Sequence, residues 1–200
     1  KRNKQGRMIE RRFKDVTGYK FVSDSEGVYG FAYKLDGLGR TEELWYLDKN
    51  GDRRENKKGV AGRKYHYAGH NIDRAEYVNA VGAPALGPDG WMVCVEEFDA
   101  HDNVMRSRYF DAEGRCTMCA DGIAEIKVKY DANGNQESCR FYGTNGKPCL
   151  HKDGNAGWTA EYDGHGNETR RVYFGEDGRP TFVKGGVAEV KYEHDKRGNV

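Results

Sequence analysis

The sequence predicts an all-β fold, an elongated array of antiparallel β-hairpin repeats that forms a twisted sheet or a β-solenoid. Glycines recur at fixed spacings, and from Gly6 to Gly198 they define six units of 32 residues. Apolar residues alternate with polar residues between the glycines, which is typical of half-buried strands, and no segment keeps a helical period. Because repeats at a fixed period pack mainly on their neighbours, we interpret residues 1–200 as a single repeat array.

Three glycine columns set the register of the repeat, with gaps of 12, 8 and 12 residues in most units. In the first column Asn71 and Asp102 stand where the other units have glycine. Asn and Asp are the residues other than glycine that best tolerate a left-handed backbone. We therefore expect a positive φ at every position of this column, which comprises Gly6, Gly39, Asn71, Asp102, Gly134, Gly166 and Gly198.

Residues 131–134, DANG, show the turn that closes the main hairpin of a unit. Asp first, Asn third and Gly fourth is the preference of a type I turn followed by a left-handed bulge residue. We expect the Asp side chain to cap its own turn. The strand before this turn alternates, with Ile126, Val128 and Tyr130 on one face. The small residues of 122–124, GIA, favour close backbone approach or a tight core layer.

Two adjacent columns end the strand after the turn. The first is aromatic in every unit, and the second holds an apolar residue in five units. Neighbouring strand residues point to opposite faces, so we expect one column to be buried and the other to be exposed. The exposed column is the candidate binding site and is called the apolar row, which comprises Leu47, Val78, Phe110, Tyr142 and Phe174.

The apolar row is flanked by the charged residues Arg106, Arg108, Arg140 and Arg170. An apolar row beside charges on the outer face of a sheet could bind a protein partner or a glycan ring. The alternative is that its side chains cover the turn beneath them or pack on a further layer. The sequence leaves both interpretations open.

No catalytic residue, metal site or cofactor is predicted. Residues 116–119, CTMC, form a lone CxxC without a second pair, which is a weak metal signal. Cys139 and Cys149 flank a turn and could approach each other, but five cysteines cannot all pair within one chain. No nucleophile elbow, phosphate-binding loop or HExxH motif is present.

Charge and hydropathy limit the partners. The formal net charge is +1, so no global field selects nucleic acid, and we expect no nucleic-acid partner. No run of eighteen apolar residues is present, so we expect no membrane span. Both termini remain in phase with the repeat, which favours a fragment of a longer array or of a larger protein. The compartment stays open between a bacterial surface or secreted location and the cytoplasm.

The units at 130–135, YDANGN, and 162–167, YDGHGN, resemble the YD repeats of Rhs and teneurin-type proteins. This resemblance implies tandem antiparallel hairpins in a large bacterial protein, which in the Rhs family spiral into a shell around a toxin domain. Two turns in 32 residues depart from the usual spacing of those repeats. Residues 45–51, WYLDKNG, resemble a choline-binding repeat, but the other units lack the paired aromatic residues that such a site needs.

The expected function is a non-catalytic protein-interaction or scaffold module of a larger bacterial protein. Its partner would be another protein or a flanking domain of the same chain. One alternative is a carbohydrate or cell-wall binding module that uses the apolar row. The other is a structural shell that encloses a toxin domain.

Overall fold

The computed structural model describes residues 1–195 and 197–200. Its strands follow one another in the sheet in chain order, and the strand pairs with a described register are antiparallel. The all-β hairpin array is thereby confirmed. Among the described residues the strands are β1 (Glu10–Arg12), β2 (Gly30–Leu35), β3 (Thr41–Leu47), β4 (Gly62–Ala68), β5 (Asn71–Val78), β6 (Val93–Phe98), β7 (Val104–Phe110), β8 (Glu125–Tyr130), β9 (Gln136–Tyr142), β10 (Gly157–Tyr162), β11 (Glu168–Phe174) and β12 (Glu189–Lys191).

The chain divides into two compact units. The first comprises Lys1–Val95 and Asp111–Arg115, and it contains the β2–β3 and β4–β5 hairpins. The second comprises Glu96–Phe110 and Cys116–Val200, and it contains the β8–β9 and β10–β11 hairpins. In the described part of the chain no helix is long and apolar enough to cross a membrane.

The main hairpins share a register shift next to their turns. In β8–β9 the shift lies between Lys129 and Tyr130, and β2–β3, β4–β5 and β10–β11 have one at the matching place. At the turn itself, the Asp131 N–H donates to the Asn135 carbonyl oxygen at 2.9 Å, and Gly134 has φ +85°. A bulge beside a turn with a left-handed glycine is the predicted geometry.

The expectation of a positive φ in the first glycine column is right at Asp102 and wrong at Asn71. Asp102 has φ +65° and is the one such residue other than glycine in the described chain. Asn71 instead pairs with Ala68 as the first residue of β5. The connection between them is only two residues long, and Gly69 supplies the positive φ of +63°. Since Gly69 takes the left-handed position, Asn71 can stay extended.

Aliphatic, aromatic and small residues form the core of each unit. In the first unit Trp45, Ala61 and Val78 form a buried cluster. In the second unit Ile123, Cys139 and Phe141 do so. Ile123 and Ala124 are 2% and 0% exposed, which confirms a tight core layer at residues 122–124.

Candidate functional site

The residues of the apolar row end their strands, but two of them contradict the predicted exposure. Leu47 is 3% exposed and Val78 is 0% exposed, so both belong to the core. Each of them pairs with a glycine on the neighbouring strand, Gly30 for Leu47 and Gly62 for Val78. A Cβ on Gly30 would overlap the Arg11 carbonyl oxygen, and a Cβ on Gly62 would overlap that of Leu44, so the missing side chain lets the strand on the other side approach closely. The prediction that this column is exposed is therefore wrong at Leu47 and Val78.

The three aromatic members of the row are half-buried rather than open. A cation lies over each ring. The Lys127 ammonium is 4.5 Å from the Tyr142 ring centroid, and the Arg140 guanidinium is 4.7 Å from that of Phe174. The guanidinium of Arg108 is 5.7 Å from the Phe110 centroid. Stacking of a cation on the ring face is a stabilising contact, and it occupies surface that a sugar ring would need.

The charges beside the row pair with one another. Arg106 donates to Glu125 at 2.7 Å and to Glu97 at 3.3 Å, and Lys127 lies 3.2 Å from Glu125. Burial raises the pKa of Glu125, but the hydrogen bond from Arg106 and the charge of Lys127 outweigh it, so its pKa is lowered. Glu125 is therefore a carboxylate at neutral pH, held in a network of ion pairs.

A second turn folds back on each row residue. Tyr142 forms an isolated β-bridge with Pro148, and Phe174 forms one with Pro180. Because proline has no N–H to donate, it is suited to this single bridge. The row residue thus lies between its strand partner and the segment that returns from the second turn. This arrangement resembles the alternative given above, in which the row side chains cover the turn beneath them.

The aromatic column on the opposite face is most deeply buried at Tyr77. Its hydroxyl donates to Asp89 Oδ2 at 2.7 Å and accepts a hydrogen bond from Arg63. Its ring centroid lies 4.5 Å from that of Trp91. Burial is the main cause of the raised pKa of Tyr77, and the hydrogen bond to Asp89 adds to it. Tyr77 therefore has a structural role, since its hydroxyl already donates one hydrogen bond and accepts another within the fold.

A hydrogen bond that the sequence analysis missed joins the β4–β5, β8–β9 and β10–β11 hairpins to the strand before each of them. The donor is the last or next-to-last residue in the first strand of the hairpin, and the acceptor is the carbonyl of the first residue in the second strand of the preceding hairpin. We call it the tyrosine–carbonyl bond. It runs from Tyr67 to Thr41 at 2.9 Å, from Tyr130 to Val104 at 3.0 Å and from Tyr162 to Gln136 at 3.0 Å, and His194 Nε2 takes the same place toward Glu168 at 2.7 Å.

The offset between donor and acceptor is 26 residues in all four cases. The available signal was the tyrosine before the turn aspartate, as in Tyr130 before Asp131. Its hydroxyl could not be assigned an acceptor from the sequence, because the acceptor is a backbone carbonyl and carries no residue signature. This bond explains the tyrosine of the Tyr-Asp motif.

The aspartate of the motif caps its own turn, as expected. Asp131 Oδ1 accepts from the N–H groups of Asn133 and Asn135 at 2.8 and 2.9 Å. The side-chain amide of Asn135 donates to Asp131 Oδ2 at 2.9 Å. That bond is the first cause of the lowered pKa of Asp131. The Asp-x-x-Gly-Asn pattern is therefore a closed hydrogen-bond unit that needs no cation.

The described residues contain no group of three or more His, Cys, Asp or Glu side chains that could hold a metal ion. All five cysteines are free thiols. Cys139 is buried within β9, and burial raises its pKa to about 11. The structure thus assigns Cys139 to the core.

No protein-family model and no curated protein matches this chain. Among solved structures, it is similar to a mutant of the Tc holotoxin pore of Photorhabdus luminescens, with 18% identity, 82% of this chain and 9% of that chain covered, and a TM-score of 0.39. It is also similar to TcdB2-TccC3-TEV, at 18% identity over 95% of this chain and 10% of that chain, with a TM-score of 0.44. TcdB2-TccC3 without its hypervariable C-terminal region gives 16% identity, 95% and 10% coverage and a TM-score of 0.45.

The chain thus spans about a tenth of the length of the solved chains that it matches. Similarity at these TM-scores does not identify the family or the activity of this chain. What the structure shows is a tandem β-hairpin repeat.

Proposed function

We propose that this chain is a non-catalytic structural repeat module of a larger protein, which holds flanking segments of that protein or a protein partner. The tyrosine–carbonyl bond is the observation that carries this proposal. It commits the recurrent tyrosine of the motif to joining one hairpin to the next, at the same offset each time. The turn aspartate and asparagine are likewise committed to each other.

The condition of the apolar row supports the same proposal. Leu47 and Val78 are in the core, and Lys127 and Arg140 cover the rings of Tyr142 and Phe174. Groups that bind small ligands usually present open aromatic faces and unpaired polar atoms in a concave site. The side chains of the apolar row are instead engaged mainly in contacts within the fold.

A stability measurement tests the structural role of the tyrosines. Tyr130→Phe and Tyr162→Phe should each lower the free energy of unfolding by about 1 kcal/mol, because each leaves a backbone carbonyl without its donor. Urea unfolding followed by circular dichroism measures this. Tyr142→Phe is the matched control from the apolar row, and we expect a smaller loss there. Equal losses in all three variants would contradict the structural role.

The function is tested in the natural full-length protein by cross-linking and mass spectrometry. Lys127 lies beside the apolar row, and Lys191 lies on β12. We expect both side chains to cross-link to residues outside the array or to a partner protein. Binding of the isolated chain to a glycan array, lost in the double variant Phe110→Ala and Tyr142→Ala, would overturn the proposal. It would establish the alternative of a carbohydrate-binding module.

A further inference from the structure

The third turn of a repeat, which follows the turn of the main hairpin and the second turn that folds back on the row residue, stacks on the same turn of the next repeat in the second unit. In the second unit this third turn occurs at residues 119–122, 151–154 and 183–186. The Lys152 N–H donates to the Asp121 carbonyl oxygen at 2.8 Å, and the Lys184 N–H donates to the Asp153 carbonyl oxygen at 2.7 Å. Backbone hydrogen bonds between successive third turns hold their side chains at a fixed separation.

Two thiols, those of Cys119 and Cys149, lie where the first of these turns contacts the next repeat. Cys149 Sγ donates to the Gly122 carbonyl oxygen at 3.6 Å. Cys119 begins that same turn, because its carbonyl accepts from the Gly122 N–H at 3.0 Å. A Cβ placed on Gly122 would lie only 3.5 Å from the Leu150 carbonyl oxygen. The backbone next to Cys149 is therefore packed directly against the turn that Cys119 opens.

Both cysteines also pack on the same apolar cluster, around Ile123 and Phe141. The ends of a β-turn lie within about 7 Å of each other, so a thiol bonded to the Gly122 carbonyl lies at the closing end of the turn that Cys119 opens. Electrostatics agrees with this proximity. Burial is the main cause of the raised pKa of Cys149, and Glu176 and then the neighbouring Cys119 raise it further.

The repeat itself does not require this pair. One unit later the two positions are occupied by His151 and Thr181. Those residues take part in the same backbone pattern, since the Thr181 N–H donates to Tyr173 as the Cys149 N–H donates to Phe141. The backbone arrangement thus exists without cysteine, and the thiols are an addition to it.

We propose that Cys119 and Cys149 are a site of reversible disulfide formation, which joins the third turns of two consecutive repeats. The oxidant is a low-molecular-weight disulfide of the glutathione type. The site lies at the surface, since both cysteines are partly exposed. The pair differs from Cys116 with Cys119 and from Cys139 with Cys149, which the sequence spacing had brought to notice.

The exchange proceeds in two steps. The Cys119 thiolate attacks one sulfur of the oxidant, breaks its S–S bond and releases one low-molecular-weight thiolate. Cys149 then loses its proton to water, and its thiolate attacks the Cys119 sulfur and releases the second thiolate. The two protein thiols lose two electrons and two protons in total. One oxidant molecule gains them and becomes two thiols.

Peptide mapping after incubation in a glutathione disulfide buffer tests the proposal. Trypsin places Cys119 in residues 116–127, Cys149 in 141–152 and Cys139 in 130–140, so the cross-linked peptides differ in mass. We expect the intact mass to fall by about 2 Da and fragmentation to place the bond between Cys119 and Cys149. The thermal midpoint should rise by about 5–10 °C and return on reduction with dithiothreitol.

Single variants separate this pair from the other thiols. Cys119→Ser and Cys149→Ser should abolish the 2 Da loss, whereas Cys94→Ser and Cys116→Ser should retain it. Circular dichroism of the reduced variants confirms that each is folded. A bond between Cys139 and Cys149, a bond between Cys116 and Cys119, or glutathione adducts that never resolve to a cross-link would each overturn the proposal. None of these outcomes bears on the scaffold role, which rests on the tyrosines.

Discussion

The β4–β5 hairpin of the first unit and the β8–β9 hairpin of the second unit follow one repeat but are closed in different ways. The β4–β5 hairpin turns through Gly69 and His70 alone, whereas β8–β9 uses the Asp131–Asn135 hydrogen-bond unit. Both keep the tyrosine–carbonyl bond, at 2.9 and 3.0 Å. In these two hairpins the link to the preceding strand is therefore the same although the turns differ.

The two hairpins also fill the apolar row differently. Val78 pairs with Gly62, and a Cβ on Gly62 would overlap the Leu44 carbonyl oxygen. Tyr142 pairs with Glu125, and its ring lies under the Lys127 ammonium and stays half-buried. A glycine partner does not by itself make a row residue part of the core, because Phe174 pairs with Gly157 and is half-buried.

The largest effect is expected from truncating the row in each hairpin. Val78→Ala should lower the free energy of unfolding by about 2–3 kcal/mol, because it removes two buried methyl groups and leaves a cavity beside Trp45. Tyr142→Ala should cost only about 1 kcal/mol, since its ring is half-buried and contributes mainly a contact with Lys127. Urea unfolding of both variants measures the difference.

A control for this comparison is Val78→Ile, which keeps the site apolar but adds one methylene. We expect a loss of about 1 kcal/mol from overpacking. If Tyr142→Ala were as costly as Val78→Ala, the distinction between the core and surface parts of the row would fail.

The second effect concerns the aromatic column, where β5 has Tyr77 and β9 has Phe141. Tyr77→Phe should cost about 1.5–2 kcal/mol, because it removes the donor to the Asp89 carboxylate. Asp89→Asn keeps an acceptor oxygen for the hydroxyl and should cost less. Thermal and urea unfolding test both variants. If Tyr77→Phe left the free energy of unfolding unchanged, the hydroxyl would make no contribution to stability.

The sequence predicted the repeat, the hairpins and their turns because glycine columns and alternating residues act locally. Exposure of the row was not predictable at Leu47 and Val78, because it depends on residues that lie across the sheet rather than next in sequence. The Asn71 error has the same origin, since a two-residue turn at Gly69 shifts the left-handed position by two residues. The tyrosine–carbonyl bond was missed because its acceptor is a backbone carbonyl, which no residue type in the sequence marks.

The smallest effect separates the two turns by their response to acid. The pKa of Asp131 is lowered, first by the hydrogen bond from the Asn135 side chain and then by backbone N–H groups, and in β10–β11 the same bonds lower the pKa of Asp163 to about 2. A carboxyl group with a lowered pKa stabilises the folded turn above its unfolded pKa of about 3.9. That contribution is lost as the pH falls through the lower folded value.

The Gly69–His70 turn has no aspartate at the capping position, so it should lack this acid response. Amide hydrogen exchange between pH 5 and pH 2 measures it, after correction for the intrinsic exchange rate. Protection of the Asn133 and Asn135 N–H groups should decline below about pH 4, while protection within the β4–β5 turn stays level. Asp131→Asn, which does not titrate, should remove the decline in β8–β9. A decline centred at or above about pH 3.9 would mean that the Asp131 carboxylate is not held by its turn, and the two turns would then be equivalent in acid.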